Sequence, residues 1–297
     1  MTTPANDPSA TVTPAALEAA AIEIARGAAQ ILVEYYGRAL AVGYKDADEA
    51  DPVTPADRDA EAFVAREVRA RFPGHGIIGE EGSPGDPDAE YLWVVDPVDG
   101  TANFINHLQF FSVSIGVLRH GMPIAAAIYV PGPTELGGGV YHARLGGGAF
   151  LEDRAIRAAS ADRPHPSGLV ALPVFWANHY RFVGELAKMP GYQRTLGSAA
   201  AEMALAAAGV LQYGLFGPLH IWDVAAGVLL VAEAGGATHE WRDCRWQRFA
   251  GFRPNPPTEG DPTGLKSWSL PLLFGGAQIV NYVARHVEML DAGGDVK

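Results

Sequence analysis

Cysteine is almost absent from this chain of 297 residues, which contains only Cys244. A single cysteine excludes a disulfide bond within the chain and is typical of a reducing, cytoplasmic compartment. Apolar runs long enough to cross a bilayer are also missing, since residues 224–232 form too short a run and acidic residues flank it. Residues 1–14 are polar and small, with no basic stretch before an apolar core, so we expect no signal peptide.

Basic residues are scarce relative to acidic ones. The chain has 22 Lys plus Arg against 34 Asp plus Glu, which gives a formal net charge of -12. Because nucleic acids and anionic membranes would be repelled by this charge, we expect neither as a partner. A phosphorylated substrate would be repelled too, unless bound cations neutralise it locally. Hydrophobic residues make up 48% of the chain, enough for a substantial core in one large domain or two lobes.

The first half of the chain predicts two helices followed by strands. Thr-Pro pairs at Thr13 and Thr54 place a helix cap directly before a proline, the favoured order at a helix start. The predicted elements are helices over 14–37 and 55–72, strands over 76–79 and 91–95, and an antiparallel meander from 111 to 150. We expect residues 1–12 to be disordered and residues 13–157 to form an N-terminal α+β lobe.

From about residue 158, helices and strands alternate, which predicts a C-terminal α/β lobe over residues 158–297. The predicted strands cover residues 169–174 and 211–215. The predicted helices cover residues 180–188, 199–208, 224–234 and 277–290. Residues 252–268 are rich in Pro, Gly and Asp, which indicates a surface loop.

The strongest chemical signal is the hexapeptide Asp-Pro-Val-Asp-Gly-Thr at residues 96–101. Asp96 and Asp99 follow an apolar strand and have no basic neighbour, so a divalent cation such as Mg²⁺ would turn their repulsion into binding. Gly100 permits close backbone approach, and the N–H groups of Gly100 and Thr101 could hold an anion such as phosphate. Asp-Pro and Asp-Gly pairs are also common turn formers, so the motif alone leaves a simple turn open.

Three further segments place acidic residues at the ends of predicted elements. Asp57 enters the second helix, Glu80 follows a strand, and Asp223 begins a later helix. Strand ends and helix starts are where α/β folds expose functional groups. Each residue also has a purely structural interpretation. Asp57 would suit the helix dipole, Glu80 would suit a solvated turn, and Asp223 would cap its helix.

Taken together, these segments resemble the inositol monophosphatase family in order and approximate spacing, from about residue 15 to residue 290. The matching segments are Asp51-Pro-Val-Thr-Pro-Ala-Asp57, Gly79-Glu80-Glu81, Trp93-Val-Val-Asp96-Pro-Val-Asp99-Gly100-Thr101-Ala-Asn103-Phe104, Gly197-Ser198-Ala199, Trp222-Asp223-Val-Ala-Ala-Gly227 and Glu233-Ala-Gly-Gly236. The resemblance implies an α/β (α+β) fold, a layered α-β-α-β-α sandwich of the inositol monophosphatase/fructose-1,6-bisphosphatase type. It also implies Mg²⁺-dependent hydrolysis of phosphate monoesters, sensitivity to lithium and a homodimer.

The resemblance further implies a role for each matching residue. The groups that would hold two or three Mg²⁺ ions are Glu80, Asp96, the carbonyl of Val98, Asp99 and Asp223. The N–H groups that would contact the phosphate are those of Gly100 and Thr101. Asp57 and Thr101, helped by Glu80, would orient the water that attacks phosphorus in line. The residues that would lie beside the alcohol portion of the substrate are Asp99, Gly197, Ser198, Ala199 and Phe216.

The substrate is the point at which this sequence departs from the family. Inositol-specific members commonly carry a Glu seven positions before the Trp-Asp aspartate, and here that position is Phe216, whose ring accepts no hydrogen bond from a hydroxyl. We expect a small phosphorylated alcohol similar to inositol 1-phosphate, with histidinol phosphate, a sugar phosphate or a 3′-phosphonucleotide as alternatives. Two other classes stay open, a non-catalytic relative that binds phosphate or metal and regulates a partner, and a metal-dependent nuclease, which the net charge disfavours.

Overall fold

The computed structural model describes residues 12–45, 52–82, 89–256, 258, 261 and 263–290. Its α-helices are α1 (Pro14–Tyr35), α2 (Pro55–Arg71), α3 (Thr101–Ile105), α4 (Gly184–Lys188), α5 (Ala199–Ala207), α6 (Ile221–Glu233) and α7 (Ala277–Ala284). Short 3₁₀ turns occur at Thr134–Leu136 and Trp176–Asn178. Asp51 and residues 1–11 lie outside the described residues, so the disorder expected for residues 1–12 stays a prediction.

The larger sheet is built from the first half of the chain. Its strands, in spatial order, are β3 (Gly76–Gly79), β4 (Tyr91–Asp99), β5 (Ser112–Arg119), β6 (Met122–Val130), β7 (Gly139–Arg144), β8 (Gly148–Leu151) and β9 (Arg154–Ala155). Only β3 and β4 pair in parallel, and each later strand pairs antiparallel with the one before it. The predicted strands and meander are therefore confirmed, with one correction. Strand β4 continues past residue 95 to Asp99, so Asp96 and Asp99 lie within the strand, on either side of an irregularity in its pairing with β5, rather than in a turn after it. A separate short pair joins β1 (Gly43–Tyr44) to β2 (Pro52–Val53).

The smaller sheet is built from the second half of the chain and mixes parallel and antiparallel pairs. Its strands, in spatial order, are β12 (Tyr192–Arg194), β10 (Leu169–Ala171), β13 (Leu211–His220), β16 (Ser269–Gly276), β14 (Gly236–Arg242) and β15 (Arg245–Arg248). Strand β10 runs parallel to β12 and β13, and the other pairs are antiparallel. Another short antiparallel pair joins β11 (Tyr180–Phe182) to β17 (Val287–Met289).

That last pair corrects two helix predictions. The helix predicted over 180–188 is a strand followed by the short helix α4, which begins at Gly184, and Gly184 has a φ of +63°. The helix predicted over 277–290 ends at Ala284, and the chain then forms β17. Strands β11 and β17 pair with each other across a long sequence separation, so tertiary pairing overrides the local helical pattern.

The layers follow from which faces the helices cover. Helices α1 and α2 pack on one face of the larger sheet, α5 and α6 lie between the two sheets, and α7 covers the outer face of the smaller sheet. The layer order is therefore α-β-α-β-α, which confirms the predicted fold class. The predicted lobe boundary at residues 157 and 158 falls between β9 and β10 and stays a prediction. Among the described residues, no helix has the length and apolar character needed to cross a bilayer.

Two glycines set how closely helix α6 approaches the larger sheet and helix α5. A Cβ added to Gly116 on β5 would lie 2.9 Å from carbon atoms of Ala225 on α6. A Cβ added to Gly227 on α6 would meet the sulfur of Met203 on α5 at 2.5 Å. These close approaches fix the start of α6 beside the end of β4, where the acidic motif lies.

Candidate active site

Carboxylates from three parts of the chain meet beside the end of β4. Asp96 is only 2% exposed and lies within electrostatic reach of Glu80, Asp99 and Asp223. Glu80 follows β3, and because β3 and β4 are parallel, the residues that follow them meet at one edge of the sheet. The Glu80 N–H donates to the Val95 carbonyl at 3.2 Å, which continues that pairing. The structure thus places the other three side chains expected to hold metal within electrostatic range of Asp96.

Burial and mutual repulsion dominate the titration of these carboxylates. Burial raises the pKa of Asp96 well above its usual range, and the charges of Glu80, Asp99 and Asp223 raise it further. Burial also raises the pKa of Glu80, against the opposing pull of Lys45. Contact between Glu80 and Asp96 lowers the pKa of Glu80 and raises that of Asp96. The group therefore favours an added positive charge.

Lys45 supplies one positive charge to this group. Its Nζ lies 2.7 Å from Glu80 Oε1 and 2.6 Å from Glu81 Oε1. Burial lowers the pKa of Lys45, but the two glutamates outweigh that effect and the net shift is upward, so the ammonium stays charged. The family resemblance includes a lysine shortly before the first acidic segment, but the sequence does not fix its register against Lys45, so no role was predicted for this residue.

Asp57 links the start of α2 to the hexapeptide. Its Oδ2 accepts hydrogen bonds from the N–H and the hydroxyl of Thr54, at 2.8 Å and 2.6 Å. Its Oδ1 lies 3.2 Å from the Thr101 hydroxyl, which also lies 3.0 Å from the Val98 carbonyl. Burial raises the pKa of Asp57. One oxygen thus stabilises the helix start, as the structural interpretation expected, and the other contacts the predicted catalytic threonine.

Asp99 is held by the larger sheet and by the start of helix α5. Its Oδ1 accepts from the Ala199 N–H at 2.9 Å. Its Oδ2 accepts from the Ser112 hydroxyl at 2.8 Å, the Ser198 hydroxyl at 2.6 Å and the Ala200 N–H at 2.8 Å. These bonds fix the carboxylate at the start of α5, while burial still raises its pKa overall. Ser112 was not predicted, because one serine in an alternating strand gives no signal.

The backbone at Gly100 packs directly against the predicted substrate loop. Gly100 has a φ of +95°, and an added Cβ would lie 2.9 Å from the Gly197 carbonyl oxygen. Asn103 Nδ2 donates to the carbonyls of Leu196 and Phe110, both at 2.7 Å, and so anchors the loop to α3. The predicted phosphate-binding and substrate-binding segments are therefore neighbours. Asn103 lies inside the matching motif, but no role was predicted for it.

Asp223 reaches the site from the layer between the sheets. Its Oδ2 accepts from the His220 N–H at 2.7 Å, so it does stabilise the start of α6. Its charge also acts on Asp96 across the layer. The hydroxyl of Ser114 on β5 donates to the Trp222 carbonyl at 3.3 Å and ties this helix start to the larger sheet. Asp223 therefore both stabilises the start of its helix and contributes negative charge beside Asp96.

Two buried glutamates support the site and were not predicted. Glu202 Oε1 accepts from the N–H groups of Leu196 and Gly197, both at 3.0 Å, and burial raises its pKa to about 7. Glu61 Oε2 accepts from the Glu81 N–H at 2.8 Å. The sequence offered one signal for each residue. Glu202 is an acid in the first turn of α5, and Glu61 lies one helical turn after Asp57 in α2.

The chemistry of these donors fits a hard divalent cation. The converging groups are carboxylates and a backbone carbonyl, the oxygen ligands that Mg²⁺ prefers, and the repulsion at Asp96 supplies a reason to bind one. As the side chains are placed in the described ranges, no three Asp, Glu, His or Cys residues surround one point closely enough to hold an ion. Mg²⁺ commonly keeps several waters as ligands, so a site for it does not need every ligand from the protein.

A cavity of about 300 Å³ opens beside the carboxylates, with Asp99 and Asp223 in its wall. The same wall contains every residue predicted to contact the alcohol portion of a substrate, namely Asp99, Gly197, Ser198, Ala199 and Phe216. These residues, which lie far apart along the chain, therefore share the wall of one cavity.

The fold and the site together define a layered α/β protein with a buried carboxylate cluster at the junction of its sheets. The model of the inositol monophosphatase family matches residues 14–260. The chain therefore belongs to the inositol monophosphatase family.

Several curated proteins resemble this chain over most of its length. Inositol-1-monophosphatase of Mesorhizobium japonicum is 39% identical over 193 residues, which cover 63% of this chain and 71% of that protein. Phosphatase IMPL1, chloroplastic, of Arabidopsis thaliana is 34% identical over 235 residues, 76% of this chain but 63% of that protein, less than two thirds of its length. Nus factor SuhB of Escherichia coli K12 is 36% identical over 227 residues, 74% of this chain and 84% of that protein.

Solved structures share the fold. The crystal structure of extragenic suppressor protein suhB from Bartonella henselae has a TM-score of 0.69 and 28% identity to this chain. The match covers 91% of this chain and 97% of that one. Both sheets therefore have counterparts in an experimental structure of a relative.

Proposed function

We propose that this chain is a Mg²⁺-dependent phosphate monoester hydrolase that uses water to cleave a small phosphorylated alcohol. The observation that carries the proposal is the convergence of Glu80, Asp96, Asp99 and Asp223 at the end of β4. Family membership supports it, as does the similarity to proteins named inositol-1-monophosphatase and phosphatase.

The protein's first task is to hold its carboxylates in the orientation that a bound cation requires. When bound, Mg²⁺ would neutralise phosphate charge, lower the pKa of water and stabilise the departing oxygen. The residues that would hold it are Glu80, Asp96, the carbonyl of Val98, Asp99 and Asp223. The Val98 N–H donates to Asp96 Oδ1 at 3.0 Å, which fixes the orientation of that carboxylate. The N–H groups of Gly100 and Thr101 would contact the phosphate.

The protein's second task is to position the attacking water. The Thr101 hydroxyl lies between Asp57 Oδ1 and the Val98 carbonyl, so its proton is directed inward and its lone pairs remain for a water proton. Burial raises the pKa of Asp57, which suits its carboxylate to receive a proton released during attack. Phosphoryl transfer depends more on such positioning than on covalent chemistry, so no covalent enzyme intermediate is needed.

The test is phosphate release by the wild type and by Asp96→Asn, each with saturating Mg²⁺ and with EDTA. Replacing a ligand should lower turnover more than about 100-fold, because changing residues that only orient ligands already costs about 10–100-fold. Asp153→Asn, at an exposed acid in the turn between β8 and β9, is the matched control. Near-normal turnover by Asp96→Asn, or full activity in EDTA, would refute the proposal.

A regulatory function is the competing candidate, because one relative is named Nus factor SuhB. We favour catalysis, since a protein that only bound a partner would not need Thr101 held between Asp57 and Val98. The net charge of -12 argues against direct contact with nucleic acid. A phosphatase assay of the purified chain separates the two, because a purely regulatory protein releases no phosphate.

Other properties that we propose follow from the family resemblance and the composition. They are a homodimer, inhibition by lithium, and a cytoplasmic location with no membrane partner. Light scattering of the purified chain tests the dimer, and activity measured across a lithium titration with fixed Mg²⁺ tests the inhibition. A mass equal to one chain would refute the first, and unchanged activity would refute the second.

A further inference from the structure

The cavity beside Asp99 and Asp223 has an apolar wall. Leu172, Pro173 and Val174 follow β10 and form one part of it, and Phe216 and Leu219 on β13 form another. These two segments come from neighbouring strands of the smaller sheet, so their apolar side chains line one continuous surface. The carboxylates of Asp99 and Asp223 thus open onto a cavity that is apolar along one side, while Thr195, Ser198 and Glu202 also line it.

Phe216 is fixed in this wall by its surroundings. It is 6% exposed, and its ring centroid lies 4.6 Å from that of Phe274. Its carbonyl accepts from the Tyr180 hydroxyl at 2.8 Å, which fixes the strand at this position. Phe216 therefore belongs to the core and to the cavity wall at once, and it cannot turn aside to admit a polar neighbour.

The polar donors in the wall are already engaged within the protein. The Thr195 hydroxyl donates to the Leu172 carbonyl at 2.7 Å, and the Ser198 hydroxyl donates to Asp99 at 2.6 Å. The N–H groups of Gly197 and Ala199 donate to Glu202 and Asp99. The hydroxyls of a polyol that faced Leu172, Phe216 and Leu219 would find no partner there, and buried hydroxyls without partners are costly.

We propose, on the basis of the phosphatase function above, that the alcohol portion of the substrate is a compact hydrocarbon group rather than a polyol. The hydrocarbon packs against Phe216 and Leu219, and the phosphate points toward Asp99 and Asp223. The apolar surface continues outward to Val174, which is 61% exposed, so the hydrocarbon meets apolar side chains from the cavity floor to its mouth.

The decisive experiment compares cyclohexyl phosphate with inositol 1-phosphate, measuring kcat/KM for each with Mg²⁺. The two esters share a six-membered ring and a phosphate, and differ only in the ring hydroxyls. Because those hydroxyls make the inositol oxygen the better leaving group, a preference for the cyclohexyl ester cannot come from leaving-group chemistry. We expect kcat/KM to be at least about tenfold higher for cyclohexyl phosphate, the scale of discrimination that apolar pockets achieve.

Variants of the wall should move this ratio in a defined direction. Phe216→Glu supplies a hydroxyl acceptor and should reverse the preference, whereas Phe216→Leu should keep it. Since Phe216 is packed in the core, Val174→Asp at an exposed position gives a second variant, expected to lower the ratio about threefold or more. Leu136→Asp replaces another exposed apolar residue, 84% exposed and outside this cavity, and should leave the ratio at the wild-type value.

The outcomes separate this inference from the proposed function. Equal or faster hydrolysis of inositol 1-phosphate would overturn the hydrocarbon substrate and leave the phosphatase intact. Cleavage of p-nitrophenyl phosphate without cleavage of either ring ester would also overturn the hydrocarbon substrate and leave the phosphatase function intact. If none of the three esters releases phosphate with Mg²⁺, both proposals fail together. An unchanged ratio in a folded Phe216→Glu variant would remove Phe216 from substrate selection.

Discussion

The Thr101 hydroxyl has two hydrogen-bond partners, Asp57 Oδ1 and the Val98 carbonyl. We expect Thr101→Ala to lower kcat about 10–100-fold while KM changes less than about twofold, because in the proposed mechanism the hydroxyl orients water and backbone N–H groups hold the phosphate. Thr101→Ser keeps the hydroxyl and should recover most of kcat. Steady-state kinetics on all three proteins measure this, and a rise in KM at constant kcat would contradict the assigned role.

Glu202 makes the stability of the protein depend on pH. Burial raises its pKa from 4.5 to about 7, so the folded state keeps a proton that the unfolded chain has already released. The contribution of Glu202 to the free energy of unfolding is therefore fully present below about pH 4.5 and is lost as the pH rises to about 7. Since one pKa unit corresponds to about 1.4 kcal/mol, the loss over that window is about 3 kcal/mol.

Glu202→Gln should remove this loss, because the amide oxygen can still accept from Leu196 and Gly197 without carrying charge. Urea unfolding in EDTA between about pH 5 and about pH 8 should show the variant gaining up to about 3 kcal/mol on the wild type. Glu185→Gln, at an exposed glutamate whose pKa Lys188 lowers, is the control and should show no such gain. A constant difference between wild type and Glu202→Gln at every pH would refute the prediction.

At the scale of elements, the accuracy of prediction depends on where the deciding interaction lies. Helices α1 and α2 were predicted because Thr13 and Thr54 cap them within the same few residues. The strands β14 and β16 were not predicted, although β16 lies in the middle of the smaller sheet. Its partner β13 lies about fifty residues earlier in the chain, so the pairing is non-local and leaves no mark within a short window.

The residues of the candidate site also divide into those that local sequence predicts and those that depend on distant partners. Its acids were predicted because each lies where the sequence pattern changes, such as Asp96, which follows the apolar run of β4 and precedes an irregularity in its pairing. The supporting residues were missed because their meaning depends on partners from other layers. Ser112 and Glu202 are ordinary residues in a strand and a helix until Asp99 and the loop at Gly197 are placed beside them.

Contact between β5 and α6 makes Gly116 sensitive to substitution. Gly116→Ala would place its Cβ 2.9 Å from backbone and side-chain carbons of Ala225, so the helix must move. We expect a loss of about 1–3 kcal/mol in the free energy of unfolding, the usual cost of overpacking. Asp223 begins the same helix, so kcat should fall as well.

Gly74→Ala is the matched control for this substitution, because nothing lies within 4 Å of the added Cβ and the backbone there has no left-handed φ. Urea unfolding and steady-state assays of both variants make the comparison. Equal stability of Gly116→Ala and Gly74→Ala would show that the helix is not in close contact with β5.

For the whole molecule, the buried carboxylates are a local concentration of the overall negative charge. Mg²⁺ that binds only the folded state should raise Tm by about 5 °C or more when well above its Kd. Asp96→Asn should be more stable than the wild type in EDTA and gain less from Mg²⁺, because it loses both the repulsion and a ligand. Thermal unfolding with KCl at matched ionic strength is the control, and an equal Mg²⁺ response in both proteins would contradict the assignment.

The four hydrogen bonds at Asp99 have a consequence for how the molecule can be divided. Ser112 belongs to the larger sheet, while Ser198, Ala199 and Ala200 belong to the half that builds the smaller one. The same division separates Asp96 from Asp223, so neither half contains all of the residues that we propose for catalysis. A nick between β9 and β10 would therefore yield two silent fragments, and recovered turnover would report their reassembly, as in a split-enzyme sensor.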